Sequence, residues 1–517
     1  MSNLKITSHL DQHLDLAKLS SMKSVVPFNE RKFGYYLWTF KVSDKSNEVA
    51  AVGLYHDNLM RMLHVLGYRR MKETGQVIRS YDGIIEEVDV IKIKKHVLAV
   101  VDQFDQEITF EEYSGVIRVE ELREIFLRQQ NSPFGSKNSL IDFLSDLDES
   151  ILDDTNDASY IPFQNGVVEV TSNGVSLLDY SEISGQVVWK HQVIKRNFSE
   201  NIDYNASSFA SFITNIGNQD QQRVNQIRSA IGYLLHSHNS LTKTFAIYLM
   251  DEEALGSEDP QGGAGKGILA NGIGQIRVVV DLDGKRFNGN NRFLFQQVEL
   301  STQIIHLDDV KPNFDPDTLN AVLSAGLVSE QKGKDPVKFP KEKSPKIIVT
   351  SNAGVKSGGT TRKRRQVFVL IGNHYSRLTR SGVSEPIVHV HGHRFFSEDW
   401  TDRDWQMFDA YMIDSLFLYM KKGVSSIDDE SIKWINLQSE TSVEFCVFVN
   451  DLDLNVVYDS KEKYQEFLLA TGWDSSELSQ RSFSMQLKKY ATVFDLNYEN
   501  KSSNGSTTFS IKQQENH

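Results

Sequence analysis

Gly262, Gly263 and Gly265 crowd into the run GGAGKG, which Lys266 and Gly267 close and Ile268 follows. Glycines this close together let successive backbone N–H groups turn inward on an anion. A lysine directly after them can reach the outer phosphates of a nucleotide. The surroundings carry more weight than the glycines. Before the run come the apolar, strand-like TFAIYLM (244–250) and a polar loop; after it comes the apolar-periodic ILANGIG. Strand, glycine-rich loop, helix is the order a phosphate-binding loop requires. Gly262, Gly263, Ala264 and Gly265 would form the wrap, and Lys266, Gly267 and Ile268 would open the helix. Two positions depart from the usual pattern. Pro260 stands where its first glycine belongs, and Gly267 replaces the Ser or Thr whose hydroxyl ordinarily holds Mg²⁺. Taken alone, the run also fits a glycine-rich surface turn.

About 40 residues beyond Lys266, TQIIHLDDV (302–310) reads as an apolar strand ending in Asp308 and Asp309. In a P-loop fold that strand lies beside the P-loop strand. Its acidic end can hold the Mg²⁺ shell, through Asp308, and polarise the attacking water. An Asp-Asp pair often just opens a turn; this one falls where the fold demands it. SPKIIVTSNA (344–353) is another buried-type strand and ends in Asn352, where an asparagine can contact the γ-phosphate or the nucleophilic water. GGTTRKRRQVFVLI (358–371) enters a further strand through four basic residues. An arginine there can cross a subunit interface and stabilise charge on a neighbour's ATP. Arg364 is the first choice and Arg365 the second, while Arg362 and Lys363 read as a solvated basic run.

These four elements, in this order and within about 105 residues, resemble superfamily 3 helicases. FDPDTLNAVLSAGLVSEQKGKDPVKFP, between the second and third elements, is similar to that superfamily's helix and DNA-contacting β-hairpin. Lys332 and Lys334, flanking Gly333, match the basic hairpin tip; otherwise they are a solvated turn. IPFQNGVVEV, the GGxGKG loop, LDDVKPNFD and GHRFFSEDWTDRDWQMFDAYMIDSLFLYMKKG narrow the resemblance to the primase-helicase family of phages and mobile elements. It covers roughly residues 50 to 515, as the helicase part without the primase domain. The resemblance implies an ATP- and Mg²⁺-dependent DNA helicase or translocase of replication, assembled as a hexameric ring. Lys266, Asp308, Asp309 and Asn352 would act in cis and Arg364 in trans. Single-stranded or forked DNA would be the partner, with a separate primase or polymerase beside it. The setting would be the cytoplasm of a bacterial host or phage-infected cell. Two rivals stay open: a DNA-stimulated ATPase for packaging or loading, and a degenerate scaffold that binds nucleotide and DNA without turnover. Gly267 keeps the second alive. No carboxylate triad with a histidine stands out on a sheet, so primer synthesis is not expected.

The elements that must position these residues belong to a long chain. At 517 residues it exceeds one core. The expected fold class is an α/β P-loop (AAA+-like) ATPase core, with an N-terminal α/β module and a C-terminal winged-helix-like domain. The expected boundaries are 1–135 for the module, 136–217 for a helical and hairpin linker domain, 218–424 for the core and 425–517 for the C-terminal domain. In the module, 54–71 has helical spacing, 75–90 reads as two strands about Tyr81-Asp82-Gly83, and KIKKHVLAVVDQF reads as a helix. NSLIDFLSDLDESIL reads as a further helix, with Asp146 and Asp148 on its solvated face, and 148–159 as a solvated acidic junction. Residues 161–180 form a hairpin about Ser172-Asn173-Gly174. At the far end, two helices and a hairpin turned at Asn504-Gly505 place Arg481, Lys488, Lys489 and Lys501 for DNA contact or protein docking.

The net charge of −13 argues against a surface coated in positive charge, but not against a basic strip inside a ring. The single cysteine, Cys446, excludes an internal disulfide and fits a reducing compartment. No secretory signal and no membrane span are expected, because the start lacks an apolar core and no run of about 18 apolar residues occurs. His389, His391 and His393 alternate along a strand-like segment without a carboxylate partner, and read as structural or exposed rather than as a zinc site.

Overall fold

The computed structural model describes residues 22–513 except 23, 73–74, 105, 136–138, 184, 255–261, 288, 290, 292, 300, 313, 331, 333–335, 356–363, 426–429 and 504–505. Pro260, Gly333, Lys334, Arg362, Lys363 and the expected turn Asn504-Gly505 lie outside the described residues. The chain divides into two units, 1–152 with 179–191, and 153–178 with 192–517.

In the first unit, strands Val26–Asn29, Lys32–Tyr35, Trp38–Val42 and Val49–Leu54 form an antiparallel meander. Trp38 is fully buried, and its indole N–H donates to the Leu122 carbonyl at 3.2 Å. Helices His56–Val65, Val90–Val101 and Val119–Gln129 add their apolar stripes to the same core. A second sheet takes the order Ser150–Ile151, Gln186–Trp189, Ile84–Glu87, Val77–Tyr81, Tyr68–Arg70. The turn between Val77–Tyr81 and Ile84–Glu87 has positive φ at both Asp82 (48°) and Gly83 (75°), the geometry a two-residue hairpin needs.

One expected helix is absent. Only Leu140–Phe143 of NSLIDFLSDLDESIL is helical, as a single 3₁₀ turn capped by Ser139. The next residues instead run along the Tyr68–Arg70 strand: the Arg70 N–H donates to the Ser145 carbonyl, and the Leu147 N–H to the Arg70 carbonyl. A sheet edge offering partners outcompetes a short helix whose first turn is already satisfied. Asp146 and Asp148 are exposed as expected, but on extended chain.

In the second unit, five parallel strands form the central sheet: β1 (Ala246–Asp251), β2 (Val279–Asp283), β3 (Ile304–Asp308), β4 (Lys346–Ser351) and β5 (Gln366–Ile371). Their order is β2-β3-β4-β1-β5. Both faces are covered, which explains the near-continuous apolar runs. Ile247, Leu249, Ile304 and Ile348 face one core, while Ala246, Tyr248, Met250, Leu307, Ile347 and Val349 face the other. Helices α1 (Ser208–Ile216), α2 (Gln221–Leu235), α3 (Lys266–Gly274) and α4 (Asp402–Lys422) contribute to the first core. A bidentate pair ties α4 to the chain before α1: Arg196 donates to both Asp409 oxygens, at 2.7 and 2.6 Å.

The hairpin strands Ala158–Phe163 and Gly166–Thr171, with Val175–Leu178, also join this unit. Here the acidic junction departs from expectation. Asp154 is buried, bonded at 2.7 Å to Arg277, whose other N–H groups reach the Leu235 and Tyr160 carbonyls and the Ser159 hydroxyl. Burial alone would raise the Asp154 carboxyl. Arg277, His236 and the bonds from Ser159 and Tyr160 together hold it below the ordinary carboxylate range. The acidic run predicted solvation because Arg277, its partner, lies over 100 residues away.

After the sheet, HVHGHR is also not a strand. Pro386–His391 is a short helix stopped by Gly392 at φ 79°. His391 bonds the Tyr375 hydroxyl at 2.7 Å and burial lowers its pKa to about 4, while His393 bonds Ser208 at 3.0 Å. Proline at the first helical turn and glycine past the last one override the alternating pattern.

The C-terminal segment holds α5 (Glu430–Glu440), α6 (Val443–Asn450), α7 (Ser460–Thr471) and α8 (Gln480–Val493). An antiparallel pair, Leu496–Ser503 with Ser506–Gln513, follows, and the short strand Val457–Asp459 pairs beside it. Arg481, Lys488 and Lys501 are exposed; Lys489 pairs with Glu440 at 3.1 Å. Among the described residues no helix is long and apolar enough to cross a membrane.

Candidate functional site

Every strand of the central sheet runs the same way, so the residues that end β1, β3 and β4 share one edge. Asp251 ends β1, Asp308 ends β3, and Asn352 follows β4. In open parallel sheets, ligands bind outside this edge.

The glycine run delivers a lysine to the same place. Gly263 and Gly265 have φ of 103° and 112°, which a side chain resists, and Gly265 caps α3. A Cβ on Gly265 would also sit 3.0 Å from the Phe212 ring of α1, so packing and backbone both require glycine there. Lys266 is the first residue of α3. Its ammonium bonds the Asp251 carboxylate, and donates to the Asn352 side-chain oxygen at 2.8 Å. Asp251 is 1% exposed, and its second oxygen has no hydrogen-bond partner. Burial pushes the Asp251 carboxyl up, Lys266 opposing it.

Asn352 passes the connection on, its amide donating to Asp309 Oδ1 at 3.1 Å. Lys285, just past β2, bonds Asp309 Oδ2 at 2.6 Å, and that contact raises the lysine pKa. Asp309 adopts φ 52°, a left-handed conformation unusual outside glycine, and its N–H donates to Thr350 Oγ1 at 2.9 Å. The same hydroxyl donates to Asp308 Oδ1 at 3.0 Å. His306 joins the neighbouring carboxylates, bonding Asp281 at 2.8 Å. Asp251, Lys266, Asn352, Asp309 and Lys285 therefore form one unbroken polar chain along the sheet edge. Beside it lies a cavity of about 530 Å³, lined by Lys285, Asp309, Asn352, Ser442, Glu444 and Trp473 among others.

The structure thus links Lys266 to Asp309 through Asn352, with Asp308 alongside. Gly262 and Gly267 are exposed beside them, Ala264 is buried, and Ile268 is half-buried behind the loop. The residues fit a triphosphate and its Mg²⁺: a glycine cradle, a lysine at a helix N-terminus, and an exposed carboxylate at the end of β3. That strand does not lie beside the P-loop strand as expected, because β4 is inserted between β3 and β1 and brings Asn352 between Lys266 and the aspartates.

The other candidates lie elsewhere. Arg364 and Arg365 precede β5 and stand at the opposite edge of the sheet, roughly 17 Å away for a six-residue strand. Arg364 is exposed. Arg365 is half-buried and donates to the Asn320 carbonyl and side chain, at 3.1 and 3.0 Å. Lys332 is exposed in the connection between the paired strands Leu327–Ser329 and Val337–Phe339.

Sequence reasoning missed Asp251, Lys285 and Thr350. Asp251 closes the strand before the P-loop, and Thr350 lies two residues before Asn352, so both carried a positional signal. Lys285 carried little, because only the pairing of β2 with β3 sets it beside the aspartates.

No family model matches the chain, and no curated protein matches it. Among solved structures it is similar to the apo C-terminal region of NrS-1 (305–718), at 9% identity and TM-score 0.41, covering 88% of this chain and 98% of that one. It is also similar to JCV helicase bound to a thiazolopyridine compound, at 13% identity and TM-score 0.27, covering 48% and 64%. At these identities and scores neither likeness says what this chain does.

Proposed function

We propose that the chain is an ATP-driven DNA helicase or translocase of the superfamily 3 kind, acting in replication of a phage or mobile element. The observation that carries the reading is the convergence of Lys266, Asn352, Asp309 and Asp308 on one edge of a parallel sheet, beside a glycine cradle. Lys266 and the inward N–H groups of 262–266 hold the phosphates. Asp308 holds Mg²⁺, which when bound neutralises charge on the phosphates. Asn352 and Asp309 orient the water. The subunits form a ring, a hexamer, with Arg364 reaching a neighbour's site. Its distance from its own Lys266 favours that trans role over a cis one. DNA is the polymer, a separate primase or polymerase a further partner, and the host or infected cell's cytoplasm the setting.

Gly267 favours a second reading, a nucleotide- and DNA-binding scaffold without turnover. A strand-displacement assay on a forked substrate, run with ATP hydrolysis, separates the possibilities. Unwinding supports the helicase. DNA-stimulated hydrolysis without unwinding supports a packaging or loading ATPase. Nucleotide binding without hydrolysis supports the scaffold.

Gly267 also gives a direct test of metal supply. A Cβ there meets nothing within 4 Å, so a serine fits. Gly267→Ser is expected to lower the Mg²⁺ concentration for half-maximal hydrolysis by roughly fivefold, the effect of one added oxygen contact. Coincident magnesium titrations for wild type and variant would show that a hydroxyl is not what the site lacks.

The hairpin distinguishes a motor from a simple ATPase. Replacing Lys332 and Lys334 with alanine is expected to lower the salt slope of single-strand binding by roughly one to two units per chain bound. Basal hydrolysis persists, because neither lysine is among the residues proposed to serve the nucleotide, while DNA stimulation and unwinding are lost. Binding measured across a salt series decides it: superimposable curves with normal unwinding rule out the grip.

A further inference from the structure

Two cations face the same edge of the sheet, and each is held by a carboxylate of its own chain. Lys266 is held by Asp251, and Lys285 by Asp309. The pairs differ in setting. Lys266 and Asp251 are buried, whereas the Lys285 side chain is 62% exposed and lines the cavity that Asp309 and Asn352 also line. Its position is fixed from behind. Lys285 sits in a single 3₁₀ turn, Gly284–Arg286, capped by Asp283 at the end of β2. A Cβ on Gly284 would lie 2.5 Å from the Asp308 carbonyl, so the turn packs tightly against the end of β3. The backbone is anchored there, and the long side chain can swing.

As the site stands, both Asp309 oxygens have a partner. Oδ1 accepts from Asn352 and Oδ2 from Lys285, at 3.1 and 2.6 Å. Each oxygen keeps a second lone pair, but an ammonium on Oδ2 draws off the negative charge that would make the carboxylate a strong acceptor for a water. An exposed lysine–carboxylate pair is weak, and a terminal phosphate carries more charge and more acceptor oxygens than one carboxylate.

We propose that Lys285 is a second phosphate-contacting cation: when a nucleoside triphosphate is bound, its ammonium passes from Asp309 to the γ-phosphate and leaves Asp309 Oδ2 open to the attacking water. This rests on the P-loop reading of the site. Lys266 then serves the phosphates from the helix side and Lys285 from the cavity side. The contact is specific to a third phosphate, because a diphosphate leaves the space beside Asn352 and Asp309 empty.

The test uses the full chain with Mg²⁺, and compares calorimetric affinities for ADP and for the non-hydrolysable triphosphate AMP-PNP. Lys285→Ala is expected to weaken AMP-PNP binding about tenfold, the loss of one charge-assisted hydrogen bond, and to leave ADP binding unchanged. Lys285→Arg restores most of the triphosphate preference. A purely structural ion pair would move neither affinity, or both together, and either result overturns the proposal. Wild type and Lys266→Ala are measured alongside. If wild type binds neither nucleotide, the P-loop reading falls and Lys285 falls with it. If wild type binds both and Lys266→Ala binds neither, an unchanged ratio in Lys285→Ala overturns Lys285 alone.

Discussion

Lys266→Ala is expected to abolish ATP hydrolysis, lowering turnover by at least about 100-fold, the scale on which removing one preorganised charge partner acts. The ammonium belongs to the first residue of α3, directly after the left-handed turns at Gly263 and Gly265. The variant also strands Asp251, which is buried with one oxygen already unpartnered. A lowered melting temperature is therefore expected alongside the lost turnover. Lys266→Ala combined with Asp251→Asn separates the two effects, because the amide carries no charge to leave unpaired. The double variant regains thermal stability without regaining hydrolysis. Undiminished turnover in Lys266→Ala would remove the P-loop assignment.

Arg364→Ala carries the other large effect. Hydrolysis is expected to fall by about a thousandfold or more, with nucleotide affinity nearly unchanged, since an arginine supplied across an interface acts on transition-state charge. The strand register makes the trans role testable. Asp251 pairs with Ile371 at one end of β1 and β5, and Ala246 with Gln366 at the other, which puts Arg364 beyond the far end. Mixing Arg364→Ala with Lys266→Ala subunits creates interfaces at which an intact loop meets an intact arginine, so part of the activity returns. No recovery in any mixture would show that Arg364 does not act across the interface. Arg365 serves as the internal control. It is committed to Asn320, so its replacement is expected to loosen that contact and lower stability.

Four of the five central strands, β1, β3, β4 and β5, were legible because they are largely buried and write themselves as apolar runs; the edge strand β2, VVDLD, is half exposed and carries no such run. Each candidate acid or amide followed such a run directly, as Asp308 follows IIHL and Asn352 follows IIVTS. Segments whose conformation depends on a distant partner were not legible. NSLIDFLSDLDESIL has helical spacing, yet Arg70 captures its backbone. Asp154 sits among acids that predict solvent, yet Arg277 takes it into the interior. Lys285 resembled any surface lysine until β2 was laid beside β3. In each case the deciding interaction joins residues far apart in sequence, where neither periodicity nor turn chemistry carries information.

The strand Gln186–Trp189 has a consequence for how the chain is made. It pairs in parallel with Ile84–Glu87 and Ser150–Ile151 in the first unit, although residues 153–178 before it belong to the second. A ribosome therefore cannot release a finished first unit at residue 152; that sheet waits for the segment ending at Trp189. In the meantime the hairpin carrying Asp154 has emerged without Arg277, which follows roughly 120 residues later, about 6 to 25 seconds at ordinary elongation rates. For that interval an acid destined for the interior lacks the guanidinium that compensates its charge there, with only neutral neighbours such as Ser159 and Tyr160 at hand. A nascent chain arrested near residue 152 is expected to be digested by protease, and one arrested well past 191 to resist over the first unit.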